Sequence, residues 1–312
     1  MNRLGMVGLR LLQILPTLVL IGVVAFVLVR LLPGDPVSNM LGDHATDATI
    51  ARLQAQMGLD QPIWVQFLLF VRHAVQGDFG DSIAYHVPVA RLIAERLPVT
   101  ITLAALATLI AIGLAVPLAF ISAVNADRWP DYLIRAVFQV GLSSPIFCVG
   151  LLLLTVFAAA LRWFPVGGYG EGIGDHLYHL FLPAVALALS FSAVIMRSLR
   201  ASILAVLTAE FVDFARSKGL SQRIILLRHV LRNALISTVT LIGLHMGSLL
   251  GGAVITESVF AVPGVGRLMV ESIFARDYTV IQALTMALAV VVSLTFLATD
   301  LVQMWLDPRA AK

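Results

Sequence analysis

Charge is scarce in this 312-residue chain: 12% of its residues are Asp, Glu, Lys or Arg, against 59% apolar ones. An ordinary soluble domain carries about twice that share of charge, and the mean hydropathy of +0.95 points the same way. Cysteine is almost missing, with Cys148 alone, which excludes an internal disulfide. The chain has two lysines, Lys218 and Lys312, and neither follows a glycine. That excludes a G-x-x-x-x-G-K-[ST] phosphate loop, and with it ATP binding by that route. No H-E-x-x-H occurs. The net charge of +3 forms no basic stripe with interleaved aromatics, so nucleic acid is not an expected partner.

What the chain does have is long uncharged stretches. Leu11–Val29, Leu97–Val124, Ala136–Leu161, Leu177–Met196, Asn233–Thr256 and Tyr278–Thr299 contain no Asp, Glu, Lys or Arg. Runs of about 20 apolar residues can cross the hydrocarbon core as helices. A span without water must close its own backbone hydrogen bonds, and these runs lack the alternation of barrel strands. The expected fold is an all-α membrane protein with six transmembrane helices. The first run follows Arg3 and Arg10 but meets no small-x-small cleavage pattern, so it reads as an uncleaved span rather than a signal peptide.

Six spans put both termini on one side. The segments sharing that side, including Asn125–Arg135 and Arg197–Arg232, hold 13 Lys and Arg; the segments across the membrane hold 8, together with twelve of the 18 acidic residues. The positive-inside rule then places both termini in the cytoplasm. The chain divides into 1–96, a first span with a long outer loop; 97–306, a five-helix core containing the loop 197–232; and a cytoplasmic tail, 307–312. Within the outer loop, residues 62–76 are apolar but too short to span and are broken by Gln66 and Arg72. They read as an interfacial or re-entrant helix, with Trp64 at the interface.

The loop 197–232 breaks the pattern. Between Thr208 and Arg232 lie Glu210, Asp213, Arg216, Lys218, Arg223, Arg228 and Arg232. Thr208 is placed to cap a short helix with Glu210 in its first turn. Phe211, Phe214, Ala215 and Lys218 recur at helical spacing, and Gly219 ends the helix. Ser221 starts a second helix with an apolar stripe of Ile224, Leu227 and Leu231, and with Arg228 and Arg232 four apart. Such a basic amphipathic pair can lie on anionic lipid. It can also dock, the two phenylalanines being anchors that a partner's groove would bury.

Asp213-Phe214-Ala215-x-x-x-Gly219 resembles the E-A-A-x-x-x-G loop of ABC importer membrane subunits. "FARSKGLSQRIILLRHVLRNAL" resembles the version in the dipeptide/oligopeptide/nickel permease family. The likeness continues through "LLPGDP" (31–36), "MGLDQPIWVQF" (57–67), "GDFGDSI" (77–83), "RLPVTITLA" (96–104), "SSPIF" (143–147), "WFPVGGYG" (163–170), "ESVFAVPGVGRL" (257–268), "RDYTVIQ" (276–282) and "DPR" (307–309). The chain departs from the general motif with Asp213 for Glu, Phe214 for Ala, and no proline in His229–Arg232. The resemblance implies a type I importer permease fold in a bacterial inner membrane. It implies that the loop forms coupling helices in a cleft of a cytoplasmic ATPase. Phe211 and Phe214 would be the anchors, Gly219 the turn, and Glu210, Asp213, Arg216, Arg228 and Arg232 the polar rim. The implied partners are a second homologous permease, one or two ATPase subunits that bind ATP and Mg, and a periplasmic or lipid-anchored substrate-binding protein. This chain itself would hold no cofactor and no catalytic residue. The implied cargo is short peptides, with nickel or a metal chelate as the alternative.

Polar groups at membrane depth favour the bundle interior or a water path. Gln139, Ser143, Ser144 and Pro145 in the third run, and His245 and Ser248 in the fifth, are candidates for a translocation path; each serine could instead bond back to its own helix. Ser190 and Ser192 in the fourth run are of the same kind. Gly247, Gly251 and Gly252 read as close helix packing. Phe260, Pro263 and Gly264 mark an outer loop that either packs on the spans or contacts a binding protein and gates the path. His176 and His179, three apart, could hold a metal, and His44, His73 and His86 lie in the outer loop, but no cysteine or carboxylate cluster supports a metal, and scattered solvated histidines are the expectation. Gly172-x-Gly174-Asp175 matches a membrane aspartyl protease string without a second aspartate at membrane depth. An ion-coupled carrier would need charged groups within the span cores, where none lie.

Overall fold

The computed structural model describes residues 3–31 and 61–306. The rest of "LLPGDP" after Leu31, the start of "MGLDQPIWVQF", His44, and the tail with "DPR" lie outside the described residues. Within them the chain is helical and no strand forms; one isolated bridge joins Asp81 to Pro88.

Helix α1 runs Arg3–Leu31 and contains the first apolar run. Helix α2, Ile63–Gln76, is the short helix expected between the first two apolar runs. Pro62 precedes it with φ −54°, and Gly77 closes it in the left-handed conformation at φ 73°, which glycine adopts without Cβ strain. Phe67 and Phe70 of α2 pack against Phe26 of α1, with ring centroids 5.3 and 5.9 Å away. Trp64 stays exposed.

Four helices are long and apolar enough to cross a membrane. They are α3 (Val89–Val124), α6 (Ile173–Leu207), residues Thr238–Val259 of α8 (Arg232–Val259), and α10 (Tyr278–Leu306). The third apolar run is not one straight span. Helices α4 (Trp129–Ser143) and α5 (Ile146–Leu153, continued by a π-helical segment to Ala160) meet at 103°. Pro145 has no N–H to give, and the residue before a proline avoids the α region; Ser144 accordingly sits at φ −85°, ψ 128°. Among the described residues there are thus four crossing helices, or five if the bent pair counts as one. The expected boundary at 96/97 falls inside α3, which continues through Pro98.

Helix α6 is the axis of the bundle: 67% of its apolar window is buried, against 28% for the others. It packs along α3 through a seam of small residues. Ala107, Ala111, Ala115 and Ala119 recur at four-residue spacing and are fully buried, in the same core cluster as Ala184, Leu187 and Ala188 of α6. Lipid tails are as apolar as leucine, so close backbone approach, not exclusion of water, drives this contact. Gly243 and Gly247 do the same for α8, since a Cβ there would meet Thr299 and Phe296 of α10; Gly252 faces Leu187. Gly251, expected to pack, has nothing within 4 Å.

Candidate functional site

The charged loop folds as two short helical pieces. Thr208 does not cap the first. It ends α6, its hydroxyl bonding Ala205 O, and Ala209 takes the extended position before α7, Glu210–Ser217. Glu210 and Asp213 lie in the first turn of α7 and Arg216 in the last, each complementing the helix dipole. Arg216 also donates to Asp213 at 3.0 Å. Gly219, at φ 78°, donates to Arg216 O, and Leu220 donates to Ala215 O, which makes a glycine stop of the Schellman type.

Helix α7 has two unlike faces. Val212 and Ala215 are buried in the bundle core. Phe211 and Phe214 are 43% and 60% exposed, and the Lys218 ammonium stands 4.5 Å from the Phe214 ring. After Ser221 a single turn, Gln222–Ile224, leads into a π-helical segment, Ile225–Leu231, and on into α8. The wider π turn puts residues five apart on one side. The buried pair is therefore Ile225 and Val230, while Ile224 and Leu227 of the expected stripe remain exposed. Leu231 is half-buried, and Arg228 and Arg232 are exposed. The loop thus presents Phe211, Phe214, Leu220, Ile224 and Leu227 outward, beside its charges.

The far end of α8 is held by a buried carboxylate. Glu257 is inaccessible to solvent; it accepts the Thr100 hydroxyl at 2.6 Å and the Arg267 N–H at 2.9 Å. The Thr100 oxygen accepts the Val265 N–H at 2.8 Å. Together they satisfy the free N–H groups at the start of α9, Val265–Phe274. Gly264 is glycine because a Cβ there would overlap the Glu257 carboxylate. Phe260 is 1% exposed: its ring lies against Gly150 and its carbonyl against Gly167. Pro263 is half-buried and Gly264 buried, so this loop packs on the helix ends.

A second buried carboxylate clamps the loop between α2 and α3. Asp277 accepts the Ser82 hydroxyl, the Ala84 N–H at 3.0 Å and the Val280 N–H at 3.2 Å. Tyr85 donates to Glu271 at 2.9 Å. Burial, reinforced by that carboxylate, raises the Tyr85 phenol above its usual range. The "GDFGDSI" and "RDYTVIQ" stretches are thereby one structure.

The candidate path residues divide. Ser144 and Ser248 bond back to Val140 O and His245 O of their own helices. His245 lies 5.8 Å from the Phe191 ring, and Ser192 bonds Leu189 O. Gln139 differs: it donates to Ser143 at 3.3 Å and accepts from Arg197 at 2.9 Å. Near it lies a network that no local pattern announced. Asp131, fully buried, receives Arg200 through Nε at 2.8 Å and Nη2 at 2.6 Å, and also the Ser122 hydroxyl.

His73 and His86 are exposed, as expected, while His176 and His179 are half-buried. His176 stacks on Tyr169 at 3.8 Å, and His179 Nδ1 lies 2.9 Å from Asp175 O. Among the described residues no group of three or more His, Cys, Asp or Glu could hold a metal. Asp175 of the protease-like string lies in the first turn of α6.

An all-helical core with several apolar helices long enough to cross a membrane, and an amphipathic charged loop between two of them, define a multi-pass membrane protein. Residues 115–312 match the family described as binding-protein-dependent transport system inner membrane component, and residues 4–104 match its N-terminal region. The chain belongs to this family of ABC importer permeases. It is 40% identical over 299 residues to the glutathione transport system permease protein GsiC of Escherichia coli strain K12, covering 96% of each chain. It is 38% identical over 299 residues to GsiC of Salmonella paratyphi A, again covering 96% of each. The fold is similar to that in inward-facing crystal structures of the MetNI methionine ABC transporter. There the TM-score is 0.59 at 16% identity, over 69% of this chain and 96% of that one.

Proposed function

We propose that this permease forms, with a second homologous permease, the membrane path of an ATP-driven importer for short peptides. The chain crosses the inner membrane six times with both termini in the cytoplasm. One or two separate ATPase subunits bind ATP and Mg, and a periplasmic or lipid-anchored binding protein delivers the cargo. The curated relatives are glutathione permeases, and glutathione is a small peptide, which supports a peptide-type cargo.

The observation that carries the reading is the two-faced α7. Val212 and Ala215 fix it to the core while Phe211 and Phe214 stand exposed. Exposed aromatic anchors with a charged rim are what a partner's groove would bury. A helix seated on the π segment Ile225–Leu231, which runs on into α8, would pass a partner's motion to that helix. Phe214→Asp combined with Gly219→Pro should leave the chain inserted at normal levels but strip the ATPase on co-purification and abolish uptake. An ATPase that stays bound, with uptake intact, sinks the coupling role.

A further inference from the structure

Helix α4 carries two contrasting exposed stripes. Leu133, Val137 and Val140 are 55%, 61% and 67% exposed and suit acyl chains. On another side Arg135, Gln139 and Ser143 recur at four-residue spacing, all exposed, running from the charged end of the helix to the break at Pro145. A polar stripe on a membrane helix faces water or protein, not lipid. At its charged end a cavity of about 400 Å³ opens between α4 and α6, lined by Arg135, Gln139, Arg197, Arg200 and Met196, with no carboxylate in its lining.

The three arginines are not equivalent. Arg200 is spent on Asp131, which holds it with two hydrogen bonds. Arg135 rests over the Tyr132 ring at 5.0 Å, and its Nε is 3.7 Å from the same, already paired Asp131. Arg197 donates to the neutral amide of Gln139, a contact that positions its guanidinium without neutralising it. Two guanidinium groups thus outnumber the carboxylate beside them. The fork of an arginine matches a carboxylate bidentately.

We propose that Arg197 and Arg135 form a carboxylate-binding site for the cargo at the cytoplasmic mouth of the path, with Gln139 as the positioning residue. The proposal rests on the peptide cargo and orientation given above. The polar stripe favours cargo over a lipid phosphate, because the same helix offers lipid a separate apolar face.

The test uses the assembled transporter in phosphatidylcholine vesicles with the ATPase face outward. Trialanine or trialanine amide is added on that face, and ATP hydrolysis is followed. Trialanine should suppress hydrolysis at a concentration roughly tenfold below that of the amide, the scale of one charge-assisted hydrogen bond. Arg197→Gln should erase the difference and Arg197→Lys should keep part of it; should Arg197→Gln fail to assemble, Arg135→Gln replaces it with the same expected loss. Equal response of wild type to acid and amide, or undiminished discrimination in the Gln variant, overturns the site. So does an effect of Arg197→Gln that emerges only when phosphatidylglycerol is added, since that marks a lipid phosphate as the ligand. Trialanine uptake with binding protein in the lumen is measured in parallel. Its absence in wild type sinks the cargo reading alone, because suppression of hydrolysis is read separately.

Discussion

Glu257 and Gly264 form one device. The carboxylate fills the space a side chain at 264 would need and meets N–H groups that would otherwise be buried without partners. Gly264→Ala should therefore cost about 1–3 kcal/mol, the usual penalty of overpacking, read as a lowered melting temperature of the detergent-solubilised protein. Gly113→Ala, in the interior of α3 where a Cβ meets nothing within 4 Å, is the control and should melt no lower than wild type, since alanine favours a helix interior. Asp131 and Arg200 are a second device, with Asp131 fully buried and the Arg200 side chain 15% exposed. Removing one partner of such a pair strands a buried charge and costs about 3–5 kcal/mol. Asp131→Asn and Arg200→Gln should each approach that loss, and the double variant should lose clearly less than their sum. Additive losses would show that the pair is not coupled. Neither device was legible in the sequence. Glu257 meets Thr100 across 157 residues and Asp131 meets Arg200 across 69, and an acidic residue at a helix end looks the same whether it is solvated or buried.

At the scale of elements, apolar runs and glycine stops were readable because they depend on neighbours in the chain. Gly219 ends α7 as expected, and α2 has the length its apolar stretch allowed. The errors came where hydrogen bonding leaves the α pattern. A 3.6-residue period put Ile224, Leu227 and Leu231 on one apolar stripe; the π segment instead sets Ile225 and Val230 on one side and buries them. Pro145 lies within one uncharged run that reads as a single span, yet the chain turns there by 103°. Orientation of these elements can be tested through the near-absence of cysteine. With exposed Cys148 replaced by alanine, Lys218→Cys and Glu171→Cys each provide one reporter at an exposed position. In right-side-out vesicles an impermeant maleimide should label the 171 position and spare the 218 position. The reverse pattern would invert the topology and remove α7 from the reach of a cytoplasmic ATPase.

Over the whole molecule, the sequence by itself determined the medium, the helices and the side on which charge collects. Those properties follow from composition and from contacts within a few residues. It also carried the family likeness, because the motifs are contiguous strings. Only the tertiary structure decided which faces are buried. The alanine seam of α3 finds its partner on α6, and α7 hides Val212 while showing Phe214. Asp277 ties the outer loop to the start of α10 across 195 residues. Burial of a side chain is a property of what packs against it, and in this chain those partners come from distant segments.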